Sequence, residues 1–276
     1  MHANEIARLA EGLLGATLAA GRVQMAHFAT DVAVSIKDDQ SPVTVADHES
    51  EEILLEALAR LAPGVAVIAE EAVTAGRIPS ITGPFFLVDP LDGTKGFIKG
   101  RREFTINVGL IEERRPVFGL IYAPALSELY VTLGADRVAM AHVDPATEAQ
   151  RLSDIPLQPI RTRVPDPHAI GALTSQSHLN RTTTEFLDGY KVIERRAVAS
   201  SLKFALLAKG DADVYPRVGP TSEWDTAAGH AILVAAGGTV TRLDGTPLFY
   251  GNAERRFENP DFVAWGRGPL PRQAKD

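Results

Sequence analysis

The run Asp89-Pro90-Leu91-Asp92-Gly93-Thr94 sets two carboxylates around a stiff bend. Pro90 fixes its own φ and holds Asp89 extended, so the bend is rigid before any ligand arrives. The Leu91 carbonyl can point into the space that Asp89 and Asp92 flank. Carboxylate and carbonyl oxygens are what Mg²⁺ prefers, and that ion usually keeps several waters and shares substrate phosphate oxygens. Gly93 then permits close backbone approach, and N–H groups opening a short helix at Thr94 would bind a phosphate. The Thr94 hydroxyl can orient a water.

Three more acidic positions stand at expected element ends. Glu70-Glu71 follows an apolar strand expected over 65–69. Asp225 falls in the first turn of a helix expected over 224–236, and Asp47 in the first turn of one over 47–61. Each has an ordinary alternative: a solvated Glu-Glu pair, a helix-dipole partner for Asp225, a capping-box acid for Asp47. Glu70 and Asp89 both terminate apolar strands, where an unpaired carboxylate is costly. A shared cation is the simplest remedy.

These groups need a scaffold of both element types. Ile6, Leu9, Ala10, Leu13 and Leu14 repeat at helical spacing, and Thr44 with Asp47 caps a second apolar-faced helix that Pro63-Gly64 stops. The period then shortens, predicting strands over 65–69, 85–88, 104–111, 117–122 and 129–132. Residues 144–167, with five prolines, read as a connection between two halves, 1–150 and 151–276. Beyond it strand-like and helix-like segments alternate, ending in a helix whose Trp224, Ala227, Ala228, Ala231, Ile232 and Ala235 share a face.

Composition narrows the chemistry. The 276 residues include no cysteine, which removes thiolate nucleophiles, Cys-ligated zinc and iron–sulfur clusters. A formal charge of −7 gives no general attraction to nucleic acid. Bound cations can still reverse the sign locally for an anionic substrate. No stretch reaches the ~18–20 apolar residues of a spanning helix. Glu5 and Glu11 break up the N-terminus as a signal peptide, which makes the cytoplasm the default location.

Glu70-Glu71, the 89–94 run and Trp224-Asp225-Thr226-Ala227-Ala228, in that order, resemble the inositol monophosphatase superfamily of Mg²⁺-dependent, lithium-sensitive phosphatases. Thr94-Lys95, Phe97-Ile98-Lys99, Glu103-Phe104-Thr105-Ile106-Asn107 and Ser200-Ser201-Leu202-Lys203-Phe204 are similar to the bacterial 3′(2′),5′-bisphosphate nucleotidases of the CysQ type. So is Tyr215-Pro216-Arg217 ahead of Gly219-Pro220-Thr221. The resemblance implies an α/β (α+β layered) αβαβα sandwich of two mixed-sheet halves with the site between them. It implies hydrolysis of adenosine 3′,5′-bisphosphate, a by-product of sulfur assimilation, to AMP and phosphate.

Carried over by motif, Glu70, Asp89 and the Leu91 carbonyl match one Mg²⁺ site, and Asp89, Asp92 and Asp225 a second; many members hold a third ion near Glu70. Gly93 and Thr94 match the phosphate-binding turn. Asp47 and Thr94 match the pair that orients the attacking water, with Glu70 beside them. Ser175, Ser177, His178, Ser201 and Lys203, with Asp225, fall where the nucleotidases contact nucleoside and second phosphate, and Lys95 or Arg217 could add fixed positive charge. Gly96 stands where Glu is expected, Arg102 where Gly is usual and Ala199 where Gly often precedes the serines; Gly96 and Arg102 are expected to border the site and bear on specificity. Other substrates within the superfamily are inositol monophosphate and fructose 1,6-bisphosphate; outside enzymology, the alternative is a non-catalytic phosphate- or metal-binding protein. The implied partner is a small phosphorylated molecule, with no nucleic-acid polymer and no stable membrane insertion, although the resemblance allows peripheral association with the inner membrane.

Overall fold

A computed structural model describes residues 3–28, 30, 34–37, 42–176 and 180–272. The chain opens with α1 (Ala3–His27), the short pair β1 (Val34–Ile36) and β2 (Pro42–Thr44), and α2 (Val45–Leu61). There follow β3 (Ala66–Ala69), α3 (Glu70–Thr74), β4 (Phe85–Asp92), α4 (Thr94–Phe97), β5 (Thr105–Glu112), β6 (Arg115–Ala123), β7 (Glu128–Gly134) and β8 (Arg137–His142). The chain continues with β9 (Gln158–Pro159), β10 (Ile170–Ser175), α5 (Arg181–Leu187), β11 (Val192–Val198), α6 (Leu202–Ala208), β12 (Val214–Arg217), α7 (Ala227–Ala235), β13 (Thr239–Arg242) and β14 (Phe262–Trp265).

Two sheets result. One has seven strands in the order β3-β4-β5-β6-β7-β8-β9, with β3 and β4 parallel and the later neighbours antiparallel. The other has five in the order β11-β10-β12-β14-β13, parallel through β12 and antiparallel beyond. Period-two alternation assigns the faces. Phe86 and Val88 of β4 pack with Leu13, Leu14, Leu54 and Leu58 of α1 and α2. Phe85 and Leu87 turn the other way, into a core shared with Phe204, Ala227, Ile232, Leu173 and Phe262. On the far face of the second sheet Ile170, Val214 and Trp265 pack with Phe186 and Leu187 of α5. The layers are therefore helix, sheet, helix, sheet, helix. The apolar face of α1 is spent on this core, and no described helix is long and apolar enough to cross a membrane.

Three expectations shift. The segment 144–167 is not only a connector: Gln158–Pro159 adds an edge strand to the first sheet, with Ala139 and Met140 as its partners. The last long helix starts later than expected. Glu223–Asp225 is a 3₁₀ turn, and α7 begins at Ala227, so Asp225 precedes the helix instead of lying in its first turn. A single amphipathic face is also too little for α7, since every residue from 227 to 233 is buried. Squeezed between two sheets, it has no wet side until Val234.

Candidate metal and phosphate site

Register brings the first acids together. Ala69 pairs with Val88 across the parallel β3–β4 ladder, so Glu70 and Asp89 leave adjacent strand ends side by side. The β4–β5 ladder then slips between Asp89 and Asp92, a bulge at Pro90, which has no N–H to give a ladder. Gln24 of α1 pins that bulge by donating from Nε2 to the Pro90 carbonyl at 2.6 Å. Within it the Leu91 N–H donates to Asp89 Oδ1 at 2.9 Å and aims the carboxylate. Gly93 follows at φ 106°, a left-handed backbone that turns the chain into α4. Asp225 arrives on its 3₁₀ turn. One oxygen from each of Glu70, Asp89 and Asp225 lies within 4.8 Å of the others.

Asp92 joins them electrostatically. Burial and the Asp225 charge push its pKa up to about 7, while Lys203 and the Ser201 N–H oppose the rise. Glu70 is pushed to about 8 by desolvation and the Asp225 and Glu71 charges, against the pull of Lys37. Asp89, buried and facing Glu70, Asp92 and Asp225, is raised well above the carboxylate range. Crowded acids that resist ionising are a cage in want of a cation. Their hard oxygen donors suit Mg²⁺.

One detail of this cage was not legible in the sequence. Lys37, on the β1 side of the short pair, places Nζ 2.7 Å from Glu70 Oε1 and 2.6 Å from Glu71 Oε1. No periodicity or motif singles it out. Asp47 and Thr94 also meet: Thr94 Oγ1 lies 3.1 Å from Asp47 Oδ1 and 3.1 Å from the Leu91 carbonyl. Both are acceptors only, so the single hydroxyl proton goes to one of them and the oxygen's lone pairs remain for a water.

The acids open onto a cavity of about 470 Å³. Glu70, Asp92, Gly93, Thr94 and Asp225 line it together with Ser175, Ser201, Lys203 and Arg217. Lys203 is not an exposed helix charge but 4% accessible, its Nζ donating to the Val198 carbonyl at 3.2 Å and to that of Ser200. Desolvation lowers its pKa to about 8, with Asp92 resisting and Arg217 reinforcing the fall. Arg217 is 7% accessible; its guanidinium donates to the Pro220 carbonyl, and its buried Nε has no partner among the described residues. Ser201 Oγ donates to Asn107 Oδ1 at 2.6 Å and lies 2.9 Å from Thr105 Oγ1, so it ties the turn before α6 to β5 at the cavity floor.

Ser177 and His178 lie outside the described residues. Gly96 and Ala199 line the cavity. Arg102 does not: it turns back to donate to the Ala125 carbonyl, while Arg101 reaches over the mouth to Gln176 Oε1 at 2.6 Å. Lys95, Lys99 and Arg101 form a basic rim with no ion pair among the described residues.

The inositol monophosphatase family profile matches residues 5–265. The chain is 41% identical over 226 residues to the 3′(2′),5′-bisphosphate nucleotidase CysQ of Salmonella typhimurium, covering 82% of this chain and 86% of that protein. It is 37% identical over 226 residues to the CysQ of Escherichia coli K12, with the same coverage of 82% and 86%. Its fold is similar to the crystal structure of CysQ from Bacteroides thetaiotaomicron, with a TM-score of 0.76, 32% identity, and coverage of 95% and 98%.

Proposed function

Because this chain belongs to the inositol monophosphatase family, we propose that it is a Mg²⁺-dependent phosphomonoester hydrolase converting adenosine 3′,5′-bisphosphate to AMP and phosphate. The observation that carries the reading is a carboxylate cage and two buried cations, Lys203 and Arg217, lining one cavity. A substrate with one phosphate to lose and another to be held matches that combination. Glu70, Asp89, Asp92, Asp225 and the Leu91 carbonyl would hold two or three Mg²⁺ ions. When bound, those ions supply neutralisation of the phosphate charge and acidify the attacking water.

The chain's own groups do the rest. Gly93 and the N–H groups opening α4 cradle phosphate oxygens. The Thr94 hydroxyl donates to Asp47 Oδ1 and accepts from a water, which points that water's free lone pair at phosphorus. Asp47 is a positioning residue in this scheme. Attack forms one P–O bond as the ester P–O bond breaks on the opposite side; the attacking water gives up one proton to solvent, and the leaving alkoxide takes one up. Lys203 and Arg217 hold the second phosphate, with Ser175 and Ser201 beside it. A cytoplasmic setting fits a by-product of sulfur assimilation.

Inositol monophosphate, with no second phosphate, would make little use of the two buried cations; fructose 1,6-bisphosphate is separated from the nucleotide only by assay. A non-catalytic binding role would have no use for the Asp47–Thr94 pair. Steady-state phosphate release from adenosine 3′,5′-bisphosphate, inositol monophosphate and fructose 1,6-bisphosphate, with and without Mg²⁺ and lithium, tests the reading. Turnover should require Mg²⁺, fall with lithium and favour the nucleotide. Asp92→Asn should abolish it with the fold intact, and Lys203→Ala should penalise the nucleotide more than inositol monophosphate. A preference for either sugar phosphate, or undiminished turnover by Asp92→Asn, overturns it.

A further inference from the structure

Asp225 offers its two carboxylate oxygens unequally. Oδ2 accepts the Thr221 hydroxyl at 2.8 Å and the Ser222 N–H at 2.9 Å. Oδ1 accepts no hydrogen bond among the described residues, and an Asp225 oxygen lies within 4.8 Å of Glu70 and Asp89 oxygens. The donor on Oδ2 is itself held in place. The Asn259 N–H donates to the Thr221 carbonyl at 2.9 Å, and Asn259 Nδ2 donates to the Ser222 carbonyl at 2.7 Å. Arg217 holds the Pro220 carbonyl one residue earlier. Asn259 is 3% accessible, so these ties run through the protein interior.

We propose that Thr221 is a positioning residue for the cation site: its hydroxyl locks the Asp225 carboxylate so that Oδ1 faces Glu70 and Asp89. This rests on the reading above that Asp225 holds a divalent ion. The Ser222 N–H alone would leave the carboxylate free to swing about its terminal torsion, which is broad and two-fold. A second donor, on a backbone stapled at Thr221 and Ser222, removes that freedom. Outer-sphere partners of this kind carry about 10–100-fold in metal affinity when lost.

The test is Mn²⁺ binding to purified protein without substrate, followed by electron paramagnetic resonance, for wild type, Thr221→Val and Thr221→Ser. Valine keeps the shape and loses the donor; serine keeps the donor. The Mn²⁺ affinity of Thr221→Val should fall about 10–100-fold, and that of Thr221→Ser should stay within about threefold of wild type. At saturating Mg²⁺ the KM of Thr221→Val for adenosine 3′,5′-bisphosphate should match wild type. Thr221 also lines the cavity, so wild-type Mn²⁺ affinity with a raised KM would make it a substrate contact and overturn the proposal. Equal loss in the serine and valine variants would reduce it to packing and overturn it as well. Should Thr221→Val not fold, Thr221→Ala carries the same comparison. A wild-type protein that binds no Mn²⁺ would instead remove the cation reading of the whole site.

Discussion

Asp47 shows how one side chain can satisfy two readings. Its Oδ2 accepts from the Thr44 N–H at 2.8 Å and the Thr44 hydroxyl at 2.7 Å, which caps α2, while Oδ1 faces Thr94. The helix cap and the proposed water-orienting role are therefore not alternatives, since each would use a different oxygen. The two roles separate on mutation. Asp47→Ala should lower both stability, by about 1 kcal/mol for a lost cap, and kcat. Thr94→Val should lower kcat by on the order of 10²-fold or more and leave the unfolding midpoint near wild type. Denaturant melts beside steady-state assays check both, and an Asp47→Ala variant with unchanged stability would deny the capping role.

The element that most constrains the site is α7. Gly109 and Gly119 face one another across β5 and β6, and together they leave a flat spot on the sheet. Ala227 and Ala228 press into it: a Cβ on Gly109 would stand 2.7 Å from that of Ala227, and one on Gly119 would overlap the Ala228 carbonyl oxygen. The helix thus lies against bare backbone, directly after the turn that carries Asp225. Gly119→Ala would push α7 off the sheet and move Asp225 with it. The expected loss is about 3 kcal/mol or more in urea unfolding, together with weaker divalent-ion binding. Wild-type stability in this variant would contradict the close approach.

For the molecule as a whole, the acidic cage sets the pH response of the ion-free protein. Glu70 at about 8, Asp92 at about 7 and Asp89 well above the usual range all lie above the unfolded values near 4. Between about pH 5 and 7 the folded state keeps protons that the unfolded state has released, so stability falls as pH rises. His230, held by burial at about 3, acts in the opposite sense below about 6.5, against the cage and against Asp47, Glu51, Glu71 and Glu223, whose carboxyls burial also raises. Lys203 titrates near 8, above this window. The urea midpoint without divalent ions should therefore be higher at pH 5 than at pH 7, and Mg²⁺ should raise it more at pH 7. Equal Mg²⁺ increments at both values would argue against a site made of these acids.

Strand positions, the stiff bend and the order of the acidic motifs were readable along the chain, because period-two burial, proline and the Asp-Gly-Thr run act within a few residues. The local turn at Gly93 and the cap at Thr44 belong to the same class. The start of α7 was not readable: Trp224 continues its apolar spacing, while the separate turn before it is tied by bonds from the distant Gly251 and Asn252 N–H groups to Glu223. Nor was Lys37, whose partners lie 33 and 34 residues away, or the burial of Lys203 beneath Tyr215. Those features depend on which surfaces two sheets present to one another. Chemistry could be inferred from neighbours in the chain; its charge balance came from residues that only packing makes neighbours.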